Sequence, residues 1–422
     1  MINVIMILPE VEAMNYGVGS YVYQIIKEGG KTNLLHYHLI SESPGIKKVE
    51  ISRPTKHETR YRIPHPFNSK SLNDKKVCQR YYKHVTLLLK RYLGELKTGV
   101  FHNNFFQAGS LVYPLKEIYD FPVIAVVHYA QWQFHLNGNK QQFDKTWTKY
   151  QSGKMLSKAE LGVIRHCNKE MMLYQRADWI ISVTKYMKEF LRGYYQIAEE
   201  KCIVVPNGIK ELKNNPLVLK DKIRTRLHIP THEKIILFSG RVDAQKGIEP
   251  LIAAFKLLLS KYENVRLVIA GGIKIRNHTT LIGDAWPKIN FLGQLSKEHL
   301  KKLYHIADIG VVPSLYDHCP YTVLEMMSYR LPIVASDTNG LNELIRHGDN
   351  GLQVKHEIGK RGQISINVED LACQLYTLLT NPDKNISLMK QALNDVKTKF
   401  SAKSMMDGTL NVYKLAINNE KS

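Results

Sequence analysis

Two carboxylates, Asp317 and Glu325, are separated by seven residues in SLYDHCPYTVLEMM (314 to 327), with a Cys-Pro pair and an apolar run between them. Such a pair could be an acid/base couple for breaking a sugar bond, a metal site, or a clamp on a hydroxyl-rich ligand. Upstream, ILFSGRVDAQKGIEPLIAAF (236 to 255) puts Gly240 at a strand end, Arg241 and Lys246 in a loop, and Gly247 just before a helix. Glycine lets backbone approach a ligand, a helix N-terminus offers unpaired N–H groups, and two cations can neutralise a diphosphate. An ordinary loop carrying two solvated cations has the same spacing, so the spacing does not choose between them. Pro320 suits the first turn of a helix running through Tyr329, leaving the N–H groups of Tyr321 and Thr322 to face an anion. Glu325 then lies a turn and a half into that helix, and Asp317 stays in the loop before it. No two aspartates are spaced as DxD, the usual arrangement for presenting a divalent cation to a diphosphate, so neither metal nor other cofactor is expected.

The elements that must position these residues follow from apolar runs and breakers. Short β-type runs at 2 to 8, 99 to 103, 122 to 128, 178 to 183 and 202 to 206 alternate with helix-length segments. Near-continuous Val/Ile content marks strands buried on both faces, as in a parallel sheet covered by helices. After a polar stretch (211 to 222) the same order restarts, with runs at 234 to 239, 265 to 271, 289 to 293, 308 to 313 and 332 to 336. The fold class is therefore α/β, with two doubly wound parallel-sheet domains whose ligands sit outside the carboxyl ends of strands; a ligand shared by both would lie in the cleft between them. From about Val368 the chain reads as helices, broken at Asn381-Pro382. The last, near 402 to 418, carries Met405, Met406, Leu410, Val412, Tyr413 and Leu415 and needs a surface to cover.

With 422 residues, 44% hydrophobic and 23% charged, two ordered domains are the natural expectation. The five cysteines (Cys78, Cys167, Cys202, Cys319, Cys373) are scattered without a CxxC, which supports neither a disulfide framework nor a zinc site. No run approaches the roughly 18 apolar residues of a membrane span. A cytoplasmic protein is expected, with peripheral attachment to the inner face of a membrane as a further expectation. The balance of 59 basic against 38 acidic residues gives +21, and residues 31 to 100 alone hold fifteen Lys/Arg against five Asp/Glu. Anionic partners follow. No nucleic-acid motif is present, and an anionic membrane surface or phosphate-bearing acceptor fits better than nucleic acid.

The passage from GRVDAQKG to PSLYDHCPYTVLEMMSYRLPIVASDTNGLNELI resembles the C-terminal domain of the retaining GT-B glycosyltransferases of family GT4, the glycosyl transferases group 1. There a serine, two residues, an acid, seven residues and a glutamate precede a small-residue stretch and a Pro-hydrophobic strand; Ser314, Asp317, Glu325 and 332 to 336 follow that order. Asp317 stands where glutamate is usual, and Ser328-Tyr329-Arg330 replaces the small residues. IAGG (269 to 272), FLGQL (291 to 295), ADIGVVPS (307 to 314), ADWIISVT (177 to 184) and VVPNGI (204 to 209) extend the resemblance, whereas 31 to 100 and 131 to 160 match no family pattern. YGVGSYVYQI (16 to 25) resembles the family's glycine loop, with Gly17 and Gly19 opening the first helix. It fails as a dinucleotide fingerprint because Val22 stands where the third glycine belongs, and Glu42 is only an echo of a ribose acid.

The resemblance implies two Rossmann-like domains facing a central cleft: an acceptor domain over 1 to 210, completed by the helix at about 400 to 422, and a donor domain over 211 to 399. It implies Glu325 on ribose hydroxyls, the loop with Gly293 and Leu295 on the base, and Arg241 and Lys246 on the diphosphate. Asp317 and the N–H groups after Pro320, at Tyr321 and Thr322, would meet the sugar, with Gly17, Gly19, Gly240 and Gly271 allowing close approach. His128 corresponds to the histidine that reaches the donor sugar, although Tyr129 replaces the aspartate that often follows. Asp317, His128, Arg241 and Lys246 are the expected catalytic group. The implied reaction moves a sugar, with retention, from a UDP- or GDP-sugar to a sugar, lipid-linked or peptide acceptor. The aromatic and amide-rich segment 128 to 151 would contact that acceptor or be a surface insertion. A last helix packed on the first domain would limit hinge motion. Rivals are a nucleotide-sugar epimerase or hydrolase of this fold, a phosphorylase-like enzyme, and a non-catalytic basic binding protein.

Overall fold

The computed structural model describes residues 1–8, 17–65, 75–105, 109–211, 220–272, 279–359 and 363–419. Tyr16 of the glycine loop and most of the polar stretch 211 to 222 lie outside them. The chain divides into two compact units, one of residues 1–130, 165–208 and 402–422, the other of 131–164 and 209–401.

The first unit is built on strands β1 (Ile2–Leu8), β2 (Leu35–Ser43), β3 (Glu50–Thr55), β4 (Glu58–Pro64), β5 (Gly99–Asn103), β6 (Val123–Val127), β7 (Trp179–Ser182) and β8 (Cys202–Val204). Their order is β3-β4-β2-β1-β5-β6-β7-β8. All pairings are parallel except β3 with β4. β5 and β6 are buried along their whole length, as their apolar runs require. β3 and β4 come from the region that matched no family pattern. β3 is the edge strand, exposed at every residue and carrying Arg53 and Pro54, which discourage further pairing there. The helix Ala402–Asn419 packs on the helix Gly17–Gly29 and on β5 and β7. It buries Met405, Met406, Val412 and Tyr413 of the apolar stripe expected to need a surface, and leaves Leu410 and Leu415 part-buried.

The second unit holds β9 (Lys234–Ser239), β10 (Val265–Ala270), β11 (Ile289–Gly293), β12 (Ile309–Val312), β13 (Ile333–Ser336) and β14 (Leu352–Val354), all parallel, in the order β11-β10-β9-β12-β13-β14. A short antiparallel pair, β15 (His356–Ile358) and β16 (Ile364–Ile366), follows. Ile236, Phe238, Leu251, Phe255, Leu267 and Val311 lie in its core. The helices Val368–Thr380 and Pro382–Thr398 meet at the expected Asn381-Pro382 break, where Pro382 occupies the first turn and needs no N–H partner.

Residues 131 to 164, expected within the first domain, group by contact with the second unit. They form the helices Gln131–Leu136 and Lys140–Gln151, with Asn139 capping the latter by accepting from the Gln142 N–H. Trp132 stacks on Phe143, and Phe143 on Trp147, with ring centroids 4.5 and 5.8 Å apart. The segment is thus an ordered helical pair with its own aromatic packing. It docks where Phe134 meets Tyr316 edge-on at 5.6 Å and Gly138 lies against Leu315 and Tyr316.

Candidate active site

In the second sheet the chain runs outward from β9 through β10 to β11, then returns to β12 on the other side of β9. That reversal makes the crevice beyond the ends of β9 and β12 the place where a ligand is expected. The two loops there are the ones bearing the candidate cations and carboxylates. Leu315 N–H donates to the Gln245 carbonyl at 2.9 Å, joining them. Gly247 has φ 68°, and a Cβ on it would fall 1.9 Å from the Pro313 carbonyl oxygen, so only glycine lets the loops approach this closely. The Asp243 carboxylate accepts from Lys246 N–H at 3.1 Å and caps the turn Ala244–Lys246. Lys246 Nζ then reaches Asp317 Oδ2 at 2.5 Å, and both side chains are about four-fifths covered, with exposures of 21% and 18%. Ser314 Oγ donates to the same oxygen at 3.4 Å. Arg241 is more open, 42% exposed, and rests on Gln245 at 3.2 Å and Asp243 at 3.4 Å.

The loop after Asp317 is held from several sides. Cys319 has φ 51°, uncommon for a residue with a Cβ. A Cβ on Gly340, whose φ is 98°, would lie 2.2 Å from the Asp317 carbonyl oxygen and 2.8 Å from His318 Nδ1. Buried His318 shares a hydrogen bond of 2.8 Å between its Nε2 and Gln133 Oε1. Burial pushes the His318 pKa down to about 4, with Asp317 opposing the shift and Lys246 adding to it, so the ring is neutral at pH 7. Gln245 Nε2 also donates to the Phe134 carbonyl at 3.2 Å.

The helix Tyr321–Ser328 follows, with Pro320 at its N-cap position and no side chain capping it. Pro320 was expected one position further in, and the helix ends at Ser328 with Tyr329 as its cap. Glu325 accepts from Tyr304 O–H at 2.8 Å, and Tyr304 stacks on Tyr329 at 5.2 Å. Burial raises the Glu325 pKa, an effect opposed first by the Tyr304 hydrogen bond and then by Lys297 and Lys301. Three glycines floor the crevice at the ends of β9, β10 and β11. A Cβ on Gly271 would lie 1.7 Å from the Gly240 oxygen, Gly271 N–H donates to the Gly293 carbonyl at 2.8 Å, and Gly293 has φ 67°. Leu295 follows, half-buried. Among the described residues, no group of three His, Cys, Asp or Glu side chains is placed to hold a metal ion.

The family model described as Glycosyl transferases group 1 matches residues 220–392, and Glycosyltransferase Family 4 matches 16–211. The chain belongs to this glycosyltransferase family. It is 33% identical over 259 residues to an uncharacterized glycosyltransferase of Methanocaldococcus jannaschii, covering 60% of this chain and 63% of that protein. The chain therefore spans a little under two thirds of that relative's length. It is 26% identical over 330 residues, 76% of this chain and 72% of the relative, to a D-inositol 3-phosphate glycosyltransferase of Corynebacterium aurimucosum. The sucrose-phosphate synthase structure from Thermosynechococcus elongatus superposes with a TM-score of 0.73 at 18% identity, over 99% of this chain and 100% of that one. Anabaena HepE, solved in complex with UDP-glucose, gives 0.69 at 13% identity, over 98% and 100%. The fold is thus that of the GT-B glycosyltransferases.

In the first unit, His128 follows β6 and shares a hydrogen bond of 3.0 Å between its Nε2 and Asn104 Oδ1. It meets Tyr21 edge-on at 4.7 Å. Burial, reinforced by His102, pushes its pKa down to about 3, so it stands neutral. His102 is itself buried, its Nδ1 2.8 Å from the Tyr413 hydroxyl of the last helix. Gly17 and Gly19 lie in the first turn of the helix Gly17–Gly29, and no atom would crowd a Cβ on Gly17. Glu42 faces His65 at 3.5 Å.

The structure brings Gly240, Arg241, Lys246, Gly271, Gly293, Asp317, Pro320 and Glu325 to the strand ends of one sheet, and places His128, Gly17 and Gly19 in the other unit. Sequence reading passed over Gln133, His318, Gly340 and Tyr304. Gly340 carried a signal, an Asn-Gly pair just before a short helix. The other three act through partners distant in sequence and carried none.

Proposed function

We propose that this chain transfers a sugar from a UDP- or GDP-sugar to an acceptor hydroxyl, with retention of anomeric configuration, in the synthesis of a surface glycan, glycolipid or other glycoconjugate. The observation carrying this reading is the convergence of Arg241, Lys246, Asp317 and the N-terminus of Tyr321–Ser328 at the strand reversal of the second sheet. As the glycosidic bond breaks, negative charge grows on the departing diphosphate. Fixed cations and a helix N-terminus that meet it lower the barrier. The reading assigns this neutralisation to Arg241 and Lys246 with no metal. Asp317 takes sugar hydroxyls, Glu325 the ribose, the Gly293 to Leu295 loop the base, and the glycine floor admits the phosphates. His128, buried and neutral, can offer a hydrogen bond but no charge. The two carboxylates then grip opposite ends of one donor, unlike a glycosidase pair, which flanks a single bond.

The Lys246–Asp317 pair makes a specific demand. Donor binding must move Lys246 toward phosphate while Asp317 exchanges a cation for sugar hydroxyls. Titration calorimetry with UDP, GDP, ADP and dTDP, followed by turnover of the corresponding sugars, tests the reading. Binding of at least one diphosphate is expected, with the product anomer matching the donor by NMR. Failure to bind any of them, or an inverted product, would overturn it.

The helix Lys75–Leu93 supports a membrane-borne acceptor. Arg80, Lys83, Leu87, Lys90 and Arg91 share an exposed stripe at helical spacing, and Leu87 is 57% exposed. Sedimentation with vesicles should rise with their anionic lipid content; indifference to that content would remove this part of the reading. Among the described residues no helix is long and apolar enough to cross a membrane.

A further inference from the structure

A narrow notch opens at the carboxyl ends of β5 and β6, lined in part by Asn103, Asn104, His128, Tyr129, Glu170 and Tyr174, all within the first unit. Its space admits one hydroxyl-sized group. Asn103 and Asn104 are 2% and 4% exposed, and both amide oxygens are engaged: Asn103 Oδ1 accepts from Phe105 N–H at 3.3 Å, and Asn104 Oδ1 lies 3.0 Å from His128 Nε2. Both amide nitrogens are buried with no hydrogen-bond partner. Both residues line the notch, and a buried donor without an acceptor forfeits its hydration. Glu170, 2% exposed, also lines the notch, and its carboxylate accepts from Tyr195 O–H at 2.8 Å. A carboxylate has room for several such bonds.

We propose that this notch is a subsite for a single hydroxyl group of a sugar-type acceptor. A hydroxyl has two lone pairs and one proton. The lone pairs accept from the amides of Asn103 and Asn104, and the proton is donated to Glu170. An ammonium group would turn its protons on the amide donors, and an anion would meet the carboxylate, so the lining selects a neutral alcohol. The notch lies beside the reversal of the first sheet, between β1 and β5, where this architecture places ligands. That the alcohol belongs to the acceptor rests on the transfer reading; the same hydroxyl chemistry is also present on the donor sugar.

Saturation-transfer NMR on the full chain with methyl α-glucopyranoside, methyl α-mannopyranoside and myo-inositol tests this, with UDP titration as the control for the second unit. At least one of the three should receive saturation, and the effect should fall at least tenfold in Glu170→Gln and Asn103→Ala while UDP binding is unchanged. No transfer to any of the three, equal transfer in folded variants, or only a water in the notch of a crystal soaked with the binding sugar overturns the proposal. Displacement of the sugar by UDP-glucose but not by UDP overturns the acceptor assignment, leaving the donor as the source of the hydroxyl. Circular dichroism reports folding, and if one variant unfolds the other decides the test, with Asn103→Ser in reserve. A wild-type chain that binds sugar but no nucleotide sinks the transfer reading and leaves the notch standing.

Discussion

At the strand ends of the second unit, the charged candidates are occupied by one another or by neighbours: Lys246 holds Asp317, Arg241 rests on Gln245 and Asp243, and Tyr304 donates to Glu325. At the strand ends of the first unit, Asn103 and Asn104 keep amide nitrogens with no partner. Physical cost explains the contrast. An uncompensated buried charge costs several kcal/mol or more, whereas an unpaired neutral amide costs about 1–3 kcal/mol. On the proposed assignments, the charged groups of the second unit exchange partners when a charged ligand binds, whereas the neutral amides of the first unit need no such exchange to take a hydroxyl.

The sharpest way to break this comparison is Lys246→Ala, which removes the cation proposed to meet phosphate and leaves Asp317 without its counter-charge. Turnover should fall on the order of 10²- to 10³-fold; a loss below tenfold would mean that the pair is structural only. Arg241→Ala should cost on the order of 10²-fold in a still-folded protein, by the same assay.

Acid stability probes the neutral groups of both units. Burial holds His102 of the first unit down to about 3 and His318 of the second down to about 4. Both are below the ordinary value of 6.5, so the unfolded chain takes up protons first as pH falls. Their contribution is full above 6.5 and is lost through the window from there toward 4 and 3, on the order of 3 kcal/mol for His318. Chemical denaturation from pH 7 to 4 should show this decline, and His318→Gln should flatten part of it.

Gly271→Ala tests the crevice floor. Its Cβ would meet the Gly240 oxygen at 1.7 Å, so stability should drop by about 1–3 kcal/mol and diphosphate affinity with it, read by calorimetry. Tyr304→Phe addresses Glu325. The Tyr304 hydrogen bond lowers the raised carboxyl pKa, so removing it moves that pKa higher still. Diphosphate binding that needs the ionised carboxylate weakens as pH falls through this value, and in the variant the weakening should begin at higher pH. An unchanged acid limb would release Glu325 from the ribose assignment. The smallest effect is expected from Asp317→Glu, a shift of preference among donor sugars with less than tenfold loss on the best one.

Much of the second unit was legible because its signals are local. Gly240, Arg241 and Lys246 sit on one strand-loop-helix, and Asp317, Pro320 and Glu325 on the next such unit along the sheet, each set by apolar run, breaker and cap within a short window. The first unit was less legible. β3 is exposed on both faces and β4 alternates, so neither shows the apolar run of a buried strand. Residues 131 to 160 match no family pattern, the stretch 128 to 151 reads as acceptor contact or surface insertion, and the unit it joins depends on which surface its aromatic residues find.

By itself, then, the amino-acid order determined which residues could bind phosphate and hydroxyl, the two-sheet α/β plan, and the glycines at strand ends, because those follow from chemistry and short-range periodicity. Only the tertiary structure decided that Lys246 meets Asp317 across 71 residues, that Gln133 holds His318, and that Asn103, Asn104 and Glu170 share a notch. Each of these is a meeting of groups far apart in the chain. Strand order brings them together, and strand order is a property of the whole sheet.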